Sequence, residues 1–187
     1  MSDPELVSAT EAPELTAPRL PFIGLVAAAW GFVAFFWMLG VAIQGLSMMA
    51  IDSLNYAWTP VHYIVCVVNL VFMAWAEGYR GFQLKFSPRF AARAHYAAQS
   101  GTSVQRMLAP LFCMSFFNAP PRRLIAAYAL TAMIIGFVVL FHFIPQPWRG
   151  ALDVGVVAGL IWGIVTTGID GWRVFVLGQT PAPHEVA

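Results

Sequence analysis

Residues 21–44 read PFIGLVAAAWGFVAFFWMLGVAIQ, a stretch in which no side chain carries a charge. Crossing the roughly 30 Å of hydrocarbon in a bilayer takes about 20 helical residues. A stretch of this length and composition is longer than the apolar part of a signal peptide, and no cleavage site follows it. It therefore predicts an uncleaved transmembrane helix.

Three further segments have the length and composition of spans: residues 56–76, 124–143 and 151–169. Tryptophans, which favour the membrane interface, stand near segment ends: Trp58, Trp75, Trp148 and Trp172. Hydrophobic residues make up 59% of the chain and charged residues only 10%, against about 25% charged in soluble domains. We predict an all-α integral membrane protein, with four transmembrane helices in a bundle spanning residues 21–177.

The basic residues predict the orientation, because cytoplasmic loops are enriched in lysine and arginine. Seven lie between the second and third spans: Arg80, Lys85, Arg89, Arg93, Arg106, Arg122 and Arg123. With four spans, Arg19 and Arg173 lie on that same side, and only Arg149 lies opposite. The loop 83–123 and both termini are therefore predicted to be cytoplasmic, in the inner membrane of a bacterial cell.

The two tails are polar. Residues 1–20 carry four acidic side chains against Arg19 and form no signal peptide, so we predict a disordered acidic tail. Residues 178–187 are predicted to be a second disordered tail.

The cytoplasmic loop contains two predicted helices. Ser87 followed by Pro88 is typical of a helix start, with the helix running to about Ala98. Apolar residues then recur with helical spacing at Val104, Met107, Leu108 and Leu111, which predicts an amphipathic helix. Two placements stay open: flat on the membrane surface, or packed against the ends of the spans.

A short pattern occurs twice, as EGYRGF at residues 77–82 and as DGWRVF at residues 170–175. Two repeated helical hairpins would produce it, and so would chance. At equal depth, Glu77 could pair with Arg173 and Asp170 with Arg80, as a charged clasp between the second and fourth spans. The alternative is that these side chains are separate interfacial anchors.

Polar residues mark the inward face of the second span, since polar groups inside a membrane avoid lipid. His62, Asn69 and Glu77 share one helix face, with Cys66 between them. Three glycines of the fourth span recur every fourth residue, at Gly155, Gly159 and Gly163. Such a face lets another helix approach closely, within the bundle or in a homodimer.

No sequence motif predicts a metal site. No cofactor is predicted either, although a haem is one alternative. His62 and His142 could ligate a b-type haem from two helices. His142 could equally be an interfacial residue. Asp153 follows Arg149 by four residues, which favours a local ion pair over a proton relay with histidine.

No catalytic motif is present, so an enzyme is not expected, and the net charge of +1 does not suggest nucleic acid. The leading hypothesis is a non-catalytic multi-pass membrane subunit or assembly protein. Its partners would be the lipid bilayer, with other membrane proteins or copies of itself. The alternatives are a small dimeric transporter that uses the polar stripe of the second span, and a haem-binding redox protein.

Overall fold

The computed structural model describes residues 20–179 and 181–186. Four of its helical segments are long and apolar enough to cross a membrane: Phe22–Asn55, Pro60–Ser100, Pro121–Phe141 and Trp148–Phe175. The prediction of four membrane-spanning helices is thereby confirmed by length and composition. The predicted acidic tail lies outside the described residues except for Leu20.

The elements follow one another as helices and short connections. In chain order they are α1 (Phe22–Asp52), a 3-10 turn (Ser53–Asn55), α2 (Pro60–Met73), a π-helix (Ala74–Phe86), α3 (Ser87–Ser100), α4 (Ser103–Met107), α5 (Ala109–Cys113), α6 (Pro121–Phe141) and α7 (Trp148–Phe175).

The segments α2, π-helix and α3 form one continuous helix, which we call the long helix. The α-helical segment α3 does begin at Ser87, but the prediction of a new helix capped by Ser87 was wrong, because the backbone of Ser87 is itself helical and the chain continues from the π-helix without a break. The hydrogen-bond pattern changes there from π to α, and a proline, which has no N–H, costs least where the regular pairing is already interrupted. The hydroxyl of Ser87 instead bonds to α7.

Three helices pack on one another: α1, the long helix and α7. The long helix and α7 run in the same direction, since Asn69 lies against Gly155 and Ser87 against Thr167. Helix α1 runs the opposite way. We call the end of these helices that carries Arg93 the basic end, and the end that carries Arg149 the opposite end.

The core lies towards the basic end, between α1 and α3. Phe35 packs on Phe86 and Phe90, with ring centroids 5.1 and 4.8 Å apart. Alanines of α3 are fully buried beside them, and the backbone of Ala98 touches Gly24 of α1 so closely that a side chain at Gly24 would not fit. Small residues on both helices thus allow their backbones to approach.

The predicted amphipathic helix is broken at Leu108 into α4 and α5, with Pro110 in the first turn of α5. Its other face packs against α1 and α3, where Ala109, Phe112 and Cys113 are buried. The predicted apolar face is the exposed one: Val104, Met107, Leu108 and Leu111 all lie on the surface, Met107 with 78% of its area exposed. The segment therefore contacts the packed helices and still presents an apolar surface.

Helix α6 stands apart from the other spans. None of its residues is buried by the part of the chain that the structure describes. Side-chain contacts tie only its first turns to the rest, through Tyr128 to the carbonyl of Phe116 and through Arg123 to Glu185. A helix that is apolar on every face can be covered by lipid alone, so its sequence does not require neighbouring helices.

The last described residues lie against the basic end. Glu185 binds Arg123, and the His184 ring stacks on Tyr96 with centroids 4.8 Å apart. The predicted disordered tail, 178–187, thus includes residues that the structure places in contact with α3 and α6.

Candidate functional site

The polar residues of the second predicted span belong to the long helix, and their side chains lie in its interface with α7. From the opposite end towards the basic end they are His62, Asn69 and Glu77. Glycines of α7 make the close approach possible: a side chain at Gly155 would collide with Asn69, and one at Gly163 would lie 2.8 Å from the ring of Phe82. The predicted inward face of this span is therefore the face that contacts α7.

His62 is buried near the start of α2 and takes part in its N-terminal cap. The backbone N–H of Thr59 donates to Nδ1 of His62 at 2.9 Å, so a neutral imidazole carries its proton on Nε2. Nε2 is buried and has no hydrogen-bond partner within the described part of the chain. The Trp148 ring packs edge-on against the imidazole, with centroids 4.2 Å apart.

This geometry bears on the haem hypothesis. Ligation through Nε2 would move the proton to Nδ1 and leave the Thr59 N–H without its acceptor. His142 lies at the end of α6, exposed, and no contact between His142 and His62 is present among the described residues. The arrangement around His62 fits helix capping, and haem binding stays a prediction.

Asp153 and Arg149 form the predicted local pair in the first turns of α7. Oδ2 of Asp153 lies 3.8 Å from Nε of Arg149, and Asp153 has 0% of its surface exposed. Neither carboxylate oxygen has a hydrogen-bond partner in residues 20–179 and 181–186. Such a pair recovers little of the cost of burying its charges, because the separation is long and the hydrogen bonds are missing.

Asn69 joins the two helices directly. Its Nδ2 donates to the carbonyl oxygen of Leu152 at 2.7 Å. The amide lies beside Gly155, which has no side chain to displace it. Asn69 therefore links α2 to α7 at the depth where both helices are apolar.

Glu77 lies on the π-helix, opposite Gly159. A Cβ built on Gly159 would be 3.0 Å from Oε2 of Glu77, and that oxygen is buried without a hydrogen-bond partner among the described residues. π-helical turns are rare and often occur at functional sites. Because its unpartnered carboxyl group lies on such a π-helical turn, Glu77 is the strongest candidate functional residue of the interface.

The predicted clasp pairs are not formed in the described structure. Asp170 pairs with Arg173 of its own helix at 3.2 Å, and the Arg80 guanidinium lies over the Trp75 ring at 5.0 Å. The reason is depth: Glu77 is level with Gly159, eleven residues before Asp170, a distance of about 16 Å along α7. The long helix continues past the predicted end of its span, so the two copies of the short pattern lie at different levels.

One polar cluster of the interface was not predicted. The Ser87 hydroxyl lies 3.0 Å from Oγ1 of Thr166 and 2.8 Å from Oγ1 of Thr167, all three being buried. The sequence signal is the pair of threonines on the glycine face of α7, but serine followed by proline at residues 87–88 predicts a helix start rather than a partner for them.

Chemically, the interface offers ionisable groups at successive depths, His62, Asp153 and Glu77, each with a buried atom that lacks a partner in the described chain. They are spread along the helices, and no three His, Cys, Asp or Glu side chains of the described residues converge as metal ligands do. Ionisable groups inside membrane spans are rare and often functional.

Comparisons with models of protein families, with characterised proteins and with solved structures gave no significant match for this chain.

Proposed function

We propose that this chain is a non-catalytic multi-pass subunit or assembly protein of a bacterial inner membrane, and that α6 binds a transmembrane helix of another membrane protein. The observation that carries the proposal is the exposure of α6 along its whole length, within the described structure. Its 21 residues cross the membrane without packing on the other three spans. A bound partner helix would cover the surface of α6 that the chain's own spans leave open.

The surface of α6 supports this role. Ala132 and Gly136 are four residues apart, the spacing at which small residues let a second helix approach. Around Gly136 the described chain has no atom within 4 Å of where a Cβ would be. The small face is therefore available to a partner.

The orientation follows from the charges. With the basic end towards the cytoplasm, Arg89, Arg93 and Arg123 lie inside and Arg149 outside, as basic residues of membrane proteins prefer. Both termini are then cytoplasmic. The segment α4–α5 lies at the inner surface, where its exposed apolar side chains can contact lipid.

The test is purification in mild detergent from the native membrane, with mass spectrometry of the proteins that co-elute. We expect a stoichiometric partner, lost when Gly136→Leu fills the small face of α6. Gly40→Leu is the matched control, since a Cβ at Gly40 of α1 also has no described atom within 4 Å. A chain that elutes alone, or a partner lost equally from both variants, would refute the role of α6.

A second candidate is transport by a homodimer, favoured by the buried, unpartnered carboxyl oxygen of Glu77. An ionisable group inside a membrane is a common feature of ion and proton pathways. Reconstituted in vesicles, the protein would show a proton flux that Glu77→Gln abolishes and Lys85→Gln, a change at an exposed residue, leaves intact. Equal flux in the two variants would exclude Glu77 from any such pathway.

A further inference from the structure

The carboxylate of Glu185 lies among three arginines at the basic end. Arg123 holds it with two hydrogen bonds, Nε to Oε2 at 2.7 Å and Nη2 to Oε1 at 3.2 Å. The hydrogen bond from Arg123 lowers the pKa of Glu185, and the charges of Arg123, Arg89 and Arg93 lower the pKa further, against a smaller effect of burial. The position therefore favours an anion.

The three arginines differ in how many hydrogen bonds and ion pairs they form with the described residues. Arg93 directs its five N–H groups to five backbone carbonyls, and Arg123 is paired with Glu185. Arg89 has no hydrogen bond or ion pair to any described residue. Three positive charges thus surround one carboxylate, and among the described residues Arg89 is the cation of the three whose donors have no partner.

The start of α6 adds to this positive potential. The first turn of α6 contains no acidic residue, and Pro120 at its N-cap provides no side-chain acceptor. The dipole of a long helix favours an anion near its N-terminus. Glu185, from the far end of the chain, is bound by the side chain of Arg123 in this first turn.

The depth of this site follows from the length of α6. Its 21 residues extend about 31 Å, close to the thickness of the hydrocarbon core. Both ends of α6 therefore lie at the membrane surfaces, and its first turn, with Arg123, lies at the level of the lipid phosphates. The exposed apolar side of α6 provides a surface for the acyl chains of a lipid bound there.

We propose that Arg89 of α3 and Arg123 at the start of α6 bind the phosphate of an anionic phospholipid of the cytoplasmic leaflet, and that the carboxylate of Glu185 competes for this site. The phosphate would accept hydrogen bonds from Arg89 and from Arg123. When the lipid binds, Glu185 is displaced, and the C-terminal residues lose their ion pair with Arg123. Their remaining contacts, the hydrogen bonds from Arg93 to backbone carbonyls of His184 and Glu185 and the stacking of His184 on Tyr96, do not depend on the carboxylate.

The experiment uses the full chain in detergent with equal amounts of phosphatidylglycerol and phosphatidylcholine, and native mass spectrometry to measure the ratio of bound lipids. We expect a preference for phosphatidylglycerol that falls about fivefold in Arg89→Gln or Arg123→Gln, the factor for about 1 kcal/mol from the loss of a hydrogen bond to the phosphate. Lys85→Gln is the control, because it removes the same charge from an exposed position of the same helix as Arg89. Its ratio should match the wild type.

Glu185→Gln should increase lipid binding rather than reduce it, and an increase cannot be explained by a weakened fold. Without the competing carboxylate, the preference for phosphatidylglycerol should rise severalfold. Equal binding of the two lipids, an unchanged ratio in Glu185→Gln, or an equal loss in Lys85→Gln would overturn the proposal. So would full competition by millimolar glycerol phosphate, since the site would then take soluble phosphates rather than a membrane lipid.

Discussion

Glu77 and Gly159 lie face to face between the π-helix and α7, with 3.0 Å between Oε2 of Glu77 and the place where a Cβ of residue 159 would be. A side chain at residue 159 would require the carboxyl group of Glu77 to shift. Since the same oxygen has no partner in the described chain, the contact leaves an acid desolvated rather than paired.

Glu77→Gln should therefore leave the thermal unfolding midpoint in detergent unchanged or raise it. An amide of the same shape costs less to bury than a carboxylate whose charge is not compensated. Gly159→Leu, in contrast, should lower the free energy of unfolding by about 1–3 kcal/mol, because it forces the helices apart. A lower midpoint for Glu77→Gln would contradict this and would mean that a cation pairs with Glu77.

Asn69→Ala should destabilise the fold by about 0.6 kcal/mol and at most about 1.7 kcal/mol, the range for hydrogen bonds between membrane helices. The substitution removes the bond to the carbonyl of Leu152. Asn55→Ala is the control, since the Asn55 amide makes an exposed and long contact of 3.4 Å with Asp52, and its loss should change stability by less than about 0.5 kcal/mol. Equal effects of the two substitutions would argue against Asn69 as a link between helices.

The four spans could be predicted because crossing a membrane is a local property: each needs only enough consecutive apolar residues. The inward face of the second span could also be predicted, since Asn69 and Glu77 repeat with helical spacing. The continuation of that helix through Ser87 and Pro88 could not. Ser-Pro usually starts a helix, and here the hydroxyls of Thr166 and Thr167, distant in sequence, bind Ser87 and override the local signal.

The isolation of α6 was equally hidden, because a helix that is apolar on every face beyond its first turn carries no periodicity to show which face packs. The role of Arg93 was hidden for another reason. Its five acceptors come from two separate chain segments, one of which turns through left-handed backbone conformations at Ser115 and Asn118. No local pattern around Arg93 indicates where those carbonyls are.

Arg93→Leu should destabilise the basic end by about 3–5 kcal/mol, as expected when one side of a buried polar network is removed. Arg93 is 1% exposed and donates to carbonyls of Phe112, Phe117, Asn118, His184 and Glu185. The stability of Arg93→Lys should lie between those of the wild type and Arg93→Leu, because an ammonium has three donors for five acceptors.

The measurement for Arg93 is chemical or thermal unfolding in detergent. Arg122→Lys is the control at an exposed arginine and should be within about 0.5 kcal/mol of the wild type. Full stability of Arg93→Lys would show that charge alone, rather than the five hydrogen bonds, holds these segments together.

The pairing of Glu185 with Arg123 should make the attachment of the C-terminal residues depend on pH. The pKa of Glu185 is lowered in the folded protein, chiefly by the hydrogen bond from Arg123, so the folded state holds this proton less tightly than the unfolded state. Its stabilisation is then fully present above the ordinary glutamate pKa of about 4.3 and is lost as the pH falls through the lowered folded value. At neutral pH, Glu185→Gln should cost at most about 1 kcal/mol, since the pair is partly exposed. The difference in stability between Glu185→Gln and the wild type, measured by unfolding, should therefore be smaller at pH 3 than at pH 7. An equal difference at the two pH values would show that Glu185 acts through packing rather than through its charge.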